Sequence, residues 1–227
     1  MANHLDLEEQ EQLDQLKHFW NQYGNLITWI LIAVLGSIAA WNGYHMWQRN
    51  QATQSAAMYD EVEKVVRSGD VQKAERAFTD MKDRFAKMTY TEQAGLLVAK
   101  MAYESGKPDV AKATLTWVAD NASDPGYASI ARLRLAAVMI EAKAYDDALK
   151  TLASGIADEF AALAADRKGD IYVLQDKKNE AKAEYQKAFK AFDSQSEYRR
   201  LVGVKLSAMG VNAEAGSEKA VSDEGAK

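Results

Sequence analysis

Apolar and polar positions follow two different rules along this chain. From Phe19 to Gln48 there is no Lys, Arg, Asp or Glu, and Leu26 to Ala40 is almost entirely apolar. A helix rises about 1.5 Å per residue, so roughly 20 such residues cross the hydrocarbon layer of a bilayer. A helix satisfies its own backbone hydrogen bonds, which lipid cannot do. Trp20 and Tyr23 stand at one end of the stretch, and Trp41, Tyr44 and Trp47 at the other. Aromatic rings with a polar edge favour the two membrane interfaces. The pattern predicts a transmembrane helix over residues 19–48. A buried helix of a soluble domain is rarely so long without one charge. A cleaved signal peptide also carries an apolar run, and Ser37-Ile38-Ala39 has the small residues of a cleavage site. Against it, the leader is acidic, and the apolar run continues past that site into an aromatic end.

From Ala52 to about Leu206 the rule changes. Ala, Lys, Glu, Asp, Leu and Val recur at helical spacing, and the only prolines are Pro108 and Pro125. No sustained apolar/polar alternation of the kind a strand needs is present. Four segments share a short turn followed at a fixed offset by Ala and then a large apolar residue. The pairs are Ala74 with Phe78, Ala111 with Leu115, Ala148 with Leu152, and Ala181 with Tyr185. The Ala positions are 37, 37 and 33 residues apart. A tetratricopeptide repeat has a period near 34, as a helix–turn–helix. Twelve residues before each Ala, where a first helix must be small for close approach, stand Val62, Ala99, Ala136 and Gly169. Three of the four fit, and the poorest match falls in the first repeat, as a terminal repeat would.

Turn chemistry separates the pairs. Gly69 and Gly106 suit the left-handed position just past a helix end. Asp109 and Asp146 are expected to cap second helices, and Asp124-Pro125-Gly126 marks the turn between the second and third pairs. The expected fold is all-α: a single N-terminal transmembrane helix, then a tetratricopeptide-like α-solenoid of about four helix pairs plus a terminal helix over Glu197 to Leu206. The expected division is an acidic leader at 1–18, the membrane helix at 19–48, the repeat domain at 52–206 and a disordered tail at 207–227. In the leader, Leu5, Leu13 and Leu16 would line a weak amphipathic helix, but its composition reads rather as a solvated tail.

Charge and chemistry narrow the function. Of a net charge of −5, the leader holds −4 through Asp6, Glu8, Glu9, Glu11 and Asp14 against Lys17. The nearly neutral remainder has no electrostatic footprint for nucleic acid. Charges flanking the apolar stretch do not fix its orientation. The chain has no Cys, and His4, His18 and His45 all lie before the repeats. That removes His- and Cys-based catalysis and zinc ligation from the repeat domain. No phosphate-cradling glycine loop occurs. The expectation is a non-enzyme with no cofactor and no small-molecule substrate. What remains is surface. First helices of such pairs line an extended binding face, and the register puts Tyr59, Val66, Leu96, Tyr103, Ile130, Leu133, Ile140 and Val173 there. The competing role for several of them is inter-repeat core. The groove would take a peptide, a protein partner or the chain's own terminal helix. In the membrane helix, Gly36, Ala40 and Gly43 form a small-residue stripe on which another helix would pack.

The sequence resembles the YfgM family, the ancillary subunit of the bacterial SecYEG translocon, over about residues 5 to 206. The likeness lies in the acidic leader running into Leu16-Lys17-His18-Phe19-Trp20-Asn21-Gln22-Tyr23-Gly24-Asn25, and in the exit Gly43-Tyr44-His45-Met46-Trp47-Gln48-Arg49. It continues in Leu133-Arg134-Leu135-Ala136, in Asp147-Ala148-Leu149-Lys150-Thr151-Leu152, and in Asp166, Gly169 and Asp170. The resemblance implies a single-pass protein of the bacterial inner membrane, with its N-terminus in the cytoplasm and its repeats in the periplasm. It further implies association with SecYEG, with the periplasmic folding factor PpiD and with exported polypeptides. The family carries no catalytic residues to transfer. A scaffold for cell-envelope assembly or division complexes is the alternative that the same repeats would serve.

Overall fold

The computed structural model describes residues 7–211, with side chains from Glu11 onward. Met1–Asp6 and the tail beyond Val211 lie outside the described residues. The chain divides into two units, residues 1–51 and 52–227. Helix α1 (Leu7–Ser68) contributes to both.

In the first unit the apolar residues of α1 face outward. Trp29, Leu35 and Trp41 are 65%, 62% and 66% exposed. A core helix of a water-soluble domain would bury such side chains, whereas lipid covers them at no cost. The two hydroxyls within the apolar stretch are satisfied inside the helix. Thr28 Oγ1 donates to the Gly24 carbonyl and Ser37 Oγ to that of Ala33, each at 2.7 Å. From Leu7 on the leader is helical, and from Glu11 its side chains are exposed. Its run of Leu, Glu and Gln, all good helix formers, joins an already nucleated helix.

The second unit contains the end of α1, then α2 (Val71–Phe85), α3 (Thr89–Glu104), α4 (Pro108–Asn121) and α5 (Pro125–Glu141). It continues through α6 (Tyr145–Thr151), a 3-10 turn (Asp158–Phe160), α7 (Ala161–Leu174), α8 (Lys178–Ala191) and α9 (Glu197–Ala208). No strand occurs among the described residues. The four pairs are thus α1/α2, α3/α4, α5/α6 and α7/α8, followed by the terminal helix. Ala74, Ala111, Ala148 and Ala181 are fully buried, and Phe78, Leu115, Leu152 and Tyr185 are nearly so. Facing them, Val62, Ala99, Ala136 and Gly169 are buried as well. At Gly169 the approach is so close that a Cβ would lie 2.5 Å from the Tyr185 ring.

The turns repeat in register. Gly69 (φ 78°), Gly106 (φ 71°), Lys143 (φ 59°) and Asp176 (φ 57°) all take the left-handed conformation, each five residues before the buried Ala. The caps differ from the sequence expectation. Asp109 and Asp146 sit inside the first turns of α4 and α6, after the N-cap positions Lys107 and Ala144, and neither caps with its side chain. There their charges complement the positive helix end instead. The capping carboxylates are Asp70, which accepts from the Lys73 N–H at 3.0 Å, and Asp124 at the start of α5. The Asp70 carboxyl is held below its usual pKa chiefly by that backbone bond.

Helix α6 ends early, and Leu152 is buried just beyond it. The segment that follows is pinned to α5: Arg132 Nη1 donates to the Gly155 carbonyl at 3.0 Å, and the Ala157 N–H to Ser129 Oγ at 2.8 Å. Helix α9 runs past Leu206 to Ala208. Three apolar clusters follow one another along the stack. Helix α5 places Ala131 and Leu135 in the first and Ala136 in the second. Helix α7 places Ala164 and Ile171 in the second while Ala165 and Tyr172 pack on the third. Each shared helix therefore couples only neighbouring pairs, as expected of a solenoid.

Candidate interaction site

The eight first-helix residues fall into two groups. Tyr59, Val66 and Ile130 are half-buried against the first cluster, and Leu96 is buried within it. Leu133 and Ile140 pack half-buried on the second cluster. Tyr103 and Val173 are the ones that stand exposed. Tyr59 lies 5.8 Å from the Tyr90 ring, centroid to centroid, and joins the first and second pairs. On α1, Gly36, Ala40 and Gly43 are exposed, and a Cβ built on either glycine meets nothing within 4 Å.

Tyr103 opens onto a cleft of about 340 Å³ between α3 and α5. Ala99, Leu115, Ala137 and Val138 give it apolar walls, and Lys100, Arg134 and Glu141 stand with Tyr103 at its edges. Arg134 Nη1 donates to the Leu96 carbonyl at 3.3 Å, spanning from α5 back to α3. Glu141 stands beside Tyr103, and its carboxylate, more than burial, raises the phenol pKa. The predicted first-helix face leaves out Lys100, Arg134, Ala137, Val138 and Glu141. They lie one helical turn from Leu96, Ile130, Leu133, Arg134 and Ala137 respectively, so the 3.6-residue period alone would have gathered them.

Two other groups of polar side chains stand out. Lys205 on α9 donates to Asp166 Oδ1 and to Asp170 Oδ1, both at 2.7 Å, and Tyr185 donates to the same Asp170 oxygen at 2.7 Å. These carboxylates hold the terminal helix on the last pair, while Val202 and Leu206 bury beneath it. The terminal helix therefore docks on α8, away from the α3–α5 cleft. Burial raises the Asp166 pKa, with the neighbouring Asp170 adding to it. Burial and the bond to Asp170 push the Tyr185 phenol up. Elsewhere, Glu92 is fully buried and accepts from the Ser123 N–H, tying the start of α3 to the α4–α5 turn.

The tetratricopeptide repeat-like domain family matches residues 17–211. A protein of Neisseria gonorrhoeae called ancillary SecYEG translocon subunit is 31% identical over 214 residues, 92% of this chain and 100% of the relative. One of the same name from Haemophilus influenzae is 31% identical, covering 80% of this chain and 89% of the relative. The solved structure of MamA 41-end from Desulfovibrio magneticus RS-1 superposes with a TM-score of 0.48 and 17% identity, over 76% of this chain and 97% of that one.

Proposed function

Because the chain belongs to the YfgM family of ancillary SecYEG translocon subunits, we propose that it is a membrane-anchored adaptor of the SecYEG translocon. Its repeats would link the channel to the periplasmic folding factor PpiD and to exported polypeptides. The observation that carries this is the match to a translocon subunit over that protein's whole length and 92% of this chain. The outward-facing apolar stretch of α1 supports residence in the inner membrane. In this reading the N-terminus is cytoplasmic and the repeats are periplasmic. Gly36, Ala40 and Gly43 form the contact with another membrane helix, since small residues let backbones approach closely in lipid. The exposed parts of the first-helix face, with Tyr103 among them, meet partner or client. Anchoring supplies the advantage: a chain leaving the channel meets the groove at high local concentration.

Purification of the full chain from native membranes in mild detergent tests the proposal. SecY, SecE and SecG are expected in stoichiometric recovery, with PpiD alongside. Recovery of division or wall-synthesis proteins without any Sec component overturns it in favour of an envelope scaffold. Protease added to spheroplasts is expected to digest the repeats and spare the leader; the opposite pattern overturns the orientation.

A further inference from the structure

We propose that the cleft between α3 and α5 is a docking pocket for a polypeptide segment in which an apolar side chain adjoins a carboxylate. This rests on the adaptor reading and names what the repeat face would recognise. The cleft has a volume of about 340 Å³, which admits one large apolar side chain and part of its backbone. Its walls suit that occupant: Ala99 and Leu115 are buried at the base, and Ala137 and Val138 are half-buried along α5.

The charged groups at the edge select the neighbour. Arg134 spends one of its N–H donors on the Leu96 carbonyl. That bond fixes the guanidinium at the mouth, and a planar fork held this way recognises a carboxylate through two parallel bonds. Lys100 pairs with Glu104 at 3.8 Å, and both side chains are more than 60% exposed. Such a pair contributes little and exchanges readily for a better-placed anion. Glu141 is the acid lining the cleft, beside Tyr103. Two cations therefore face the ligand against one acid in the lining. The chain as a whole carries −5, so its overall field disfavours an acidic peptide. A preference for acid must arise locally.

The test uses the full chain in detergent micelles and three fluorescein-labelled heptapeptides, Gly-Ser-Gly-Leu-X-Gly-Ser, with X as Asp, Asn or Lys. Fluorescence anisotropy is expected to show the Asp peptide binding at least tenfold more tightly than the Asn peptide, with the Lys peptide weakest. Lys100→Glu, an exposed change that leaves the melting temperature unchanged, should erase the preference for Asp over Asn. Arg134→Gln should do the same, and Ala137→Phe, which fills the cleft, should weaken all three peptides at least tenfold. Equal binding of the three peptides, or a preference for Asp that survives Lys100→Glu, overturns the pocket assignment. Co-purification of Sec components with the unaltered chain separates the two proposals. Retained Sec components with no peptide preference in the unaltered chain refute the pocket and leave the adaptor standing. Loss of Sec components from the unaltered chain refutes the adaptor.

Discussion

The first two helix pairs and the last two are built on one template but held together differently. In α1/α2 and α3/α4 a single apolar cluster runs through both pairs, with Val62, Phe78, Met81, Val98, Leu115 and Val118 buried in it. The left-handed turn residues there are glycines. In α5/α6 and α7/α8 the apolar clusters are smaller and separate, the turn residues are Lys143 and Asp176, and an ion cluster holds the terminal helix. A solenoid tolerates this because each pair answers only to its neighbours. The difference teaches that stability is unevenly distributed: one large apolar cluster dominates in the first half, and partly buried ion pairs hold the terminal helix in the second.

The largest expected effect tests the shared cluster. Phe78→Ala should cost about 3–5 kcal/mol, the usual range for emptying an aromatic site in a core. Phe78 stacks edge-on against Trp117 at 5.4 Å, so the loss should reach both pairs. Hydrogen exchange should show protection falling in α2, α3 and α4 together and persisting in α8. Loss confined to α2 would mean that the first two pairs are no more unified than the last two.

Next come the close approaches. A Cβ on Gly95 would stand 2.4 Å from Val118 Cγ2 and 2.9 Å from Phe78 Cζ, and one on Gly169 would meet the Tyr185 ring. Each glycine-to-alanine change should cost roughly 1–3 kcal/mol of overpacking, partly offset by the better helix propensity of Ala. Gly169→Ala should be the worse of the two, because the Tyr185 hydroxyl is tied to Asp170 and the ring has less freedom to withdraw. Thermal melts rank them, and the reverse order would break the contrast between soft apolar and fixed polar packing.

The ion cluster gives a smaller, pH-dependent effect. Lys205→Met leaves Asp166 and Asp170 without their shared cation and should cost about 1–3 kcal/mol at pH 7. Asp166 has a raised native pKa, so the folded state binds its proton more tightly than the unfolded chain does. Its contribution to stability is therefore fully present below the unfolded value of about 3.9 and is lost as pH rises through the raised native value. Asp166→Asn keeps an acceptor for Lys205 and removes that loss. It should stabilise on the order of 1 kcal/mol at pH 7 and give no gain below about pH 4. Melts across this range check it; a gain that grows on acidification would reverse the sign.

The smallest effect concerns the turns. Lys143→Gly and Asp176→Gly should each stabilise by about 0.5–1 kcal/mol, because an L side chain resists the left-handed conformation. Gly69→Ala and Gly106→Ala should destabilise by about 1 kcal/mol for the same reason. If all four changes are neutral in melting experiments, the turn residues do not distinguish the halves.

Much of this was legible in the amino-acid order. A charge-free, aromatic-ended stretch marks a membrane helix through composition alone, and the spacing of Ala74, Ala111, Ala148 and Ala181 marks four helix pairs because close approach demands small residues at a fixed offset. These are local rules, written within a few turns of each helix. Other features were settled only when the helices packed. The Arg134–Leu96 bond joins residues 38 apart, and Lys205 reaches Asp166 and Asp170 across 39 and 35 positions. Whether Leu133 lies in core or groove depends on how one pair rotates against the next. So does the early end of α6, where contacts from Arg132 and Ser129 replace the missing turns. Helical periodicity determines which side of a helix is apolar, but the neighbour that side meets, and the cleft left between two such neighbours, follow from packing between distant segments.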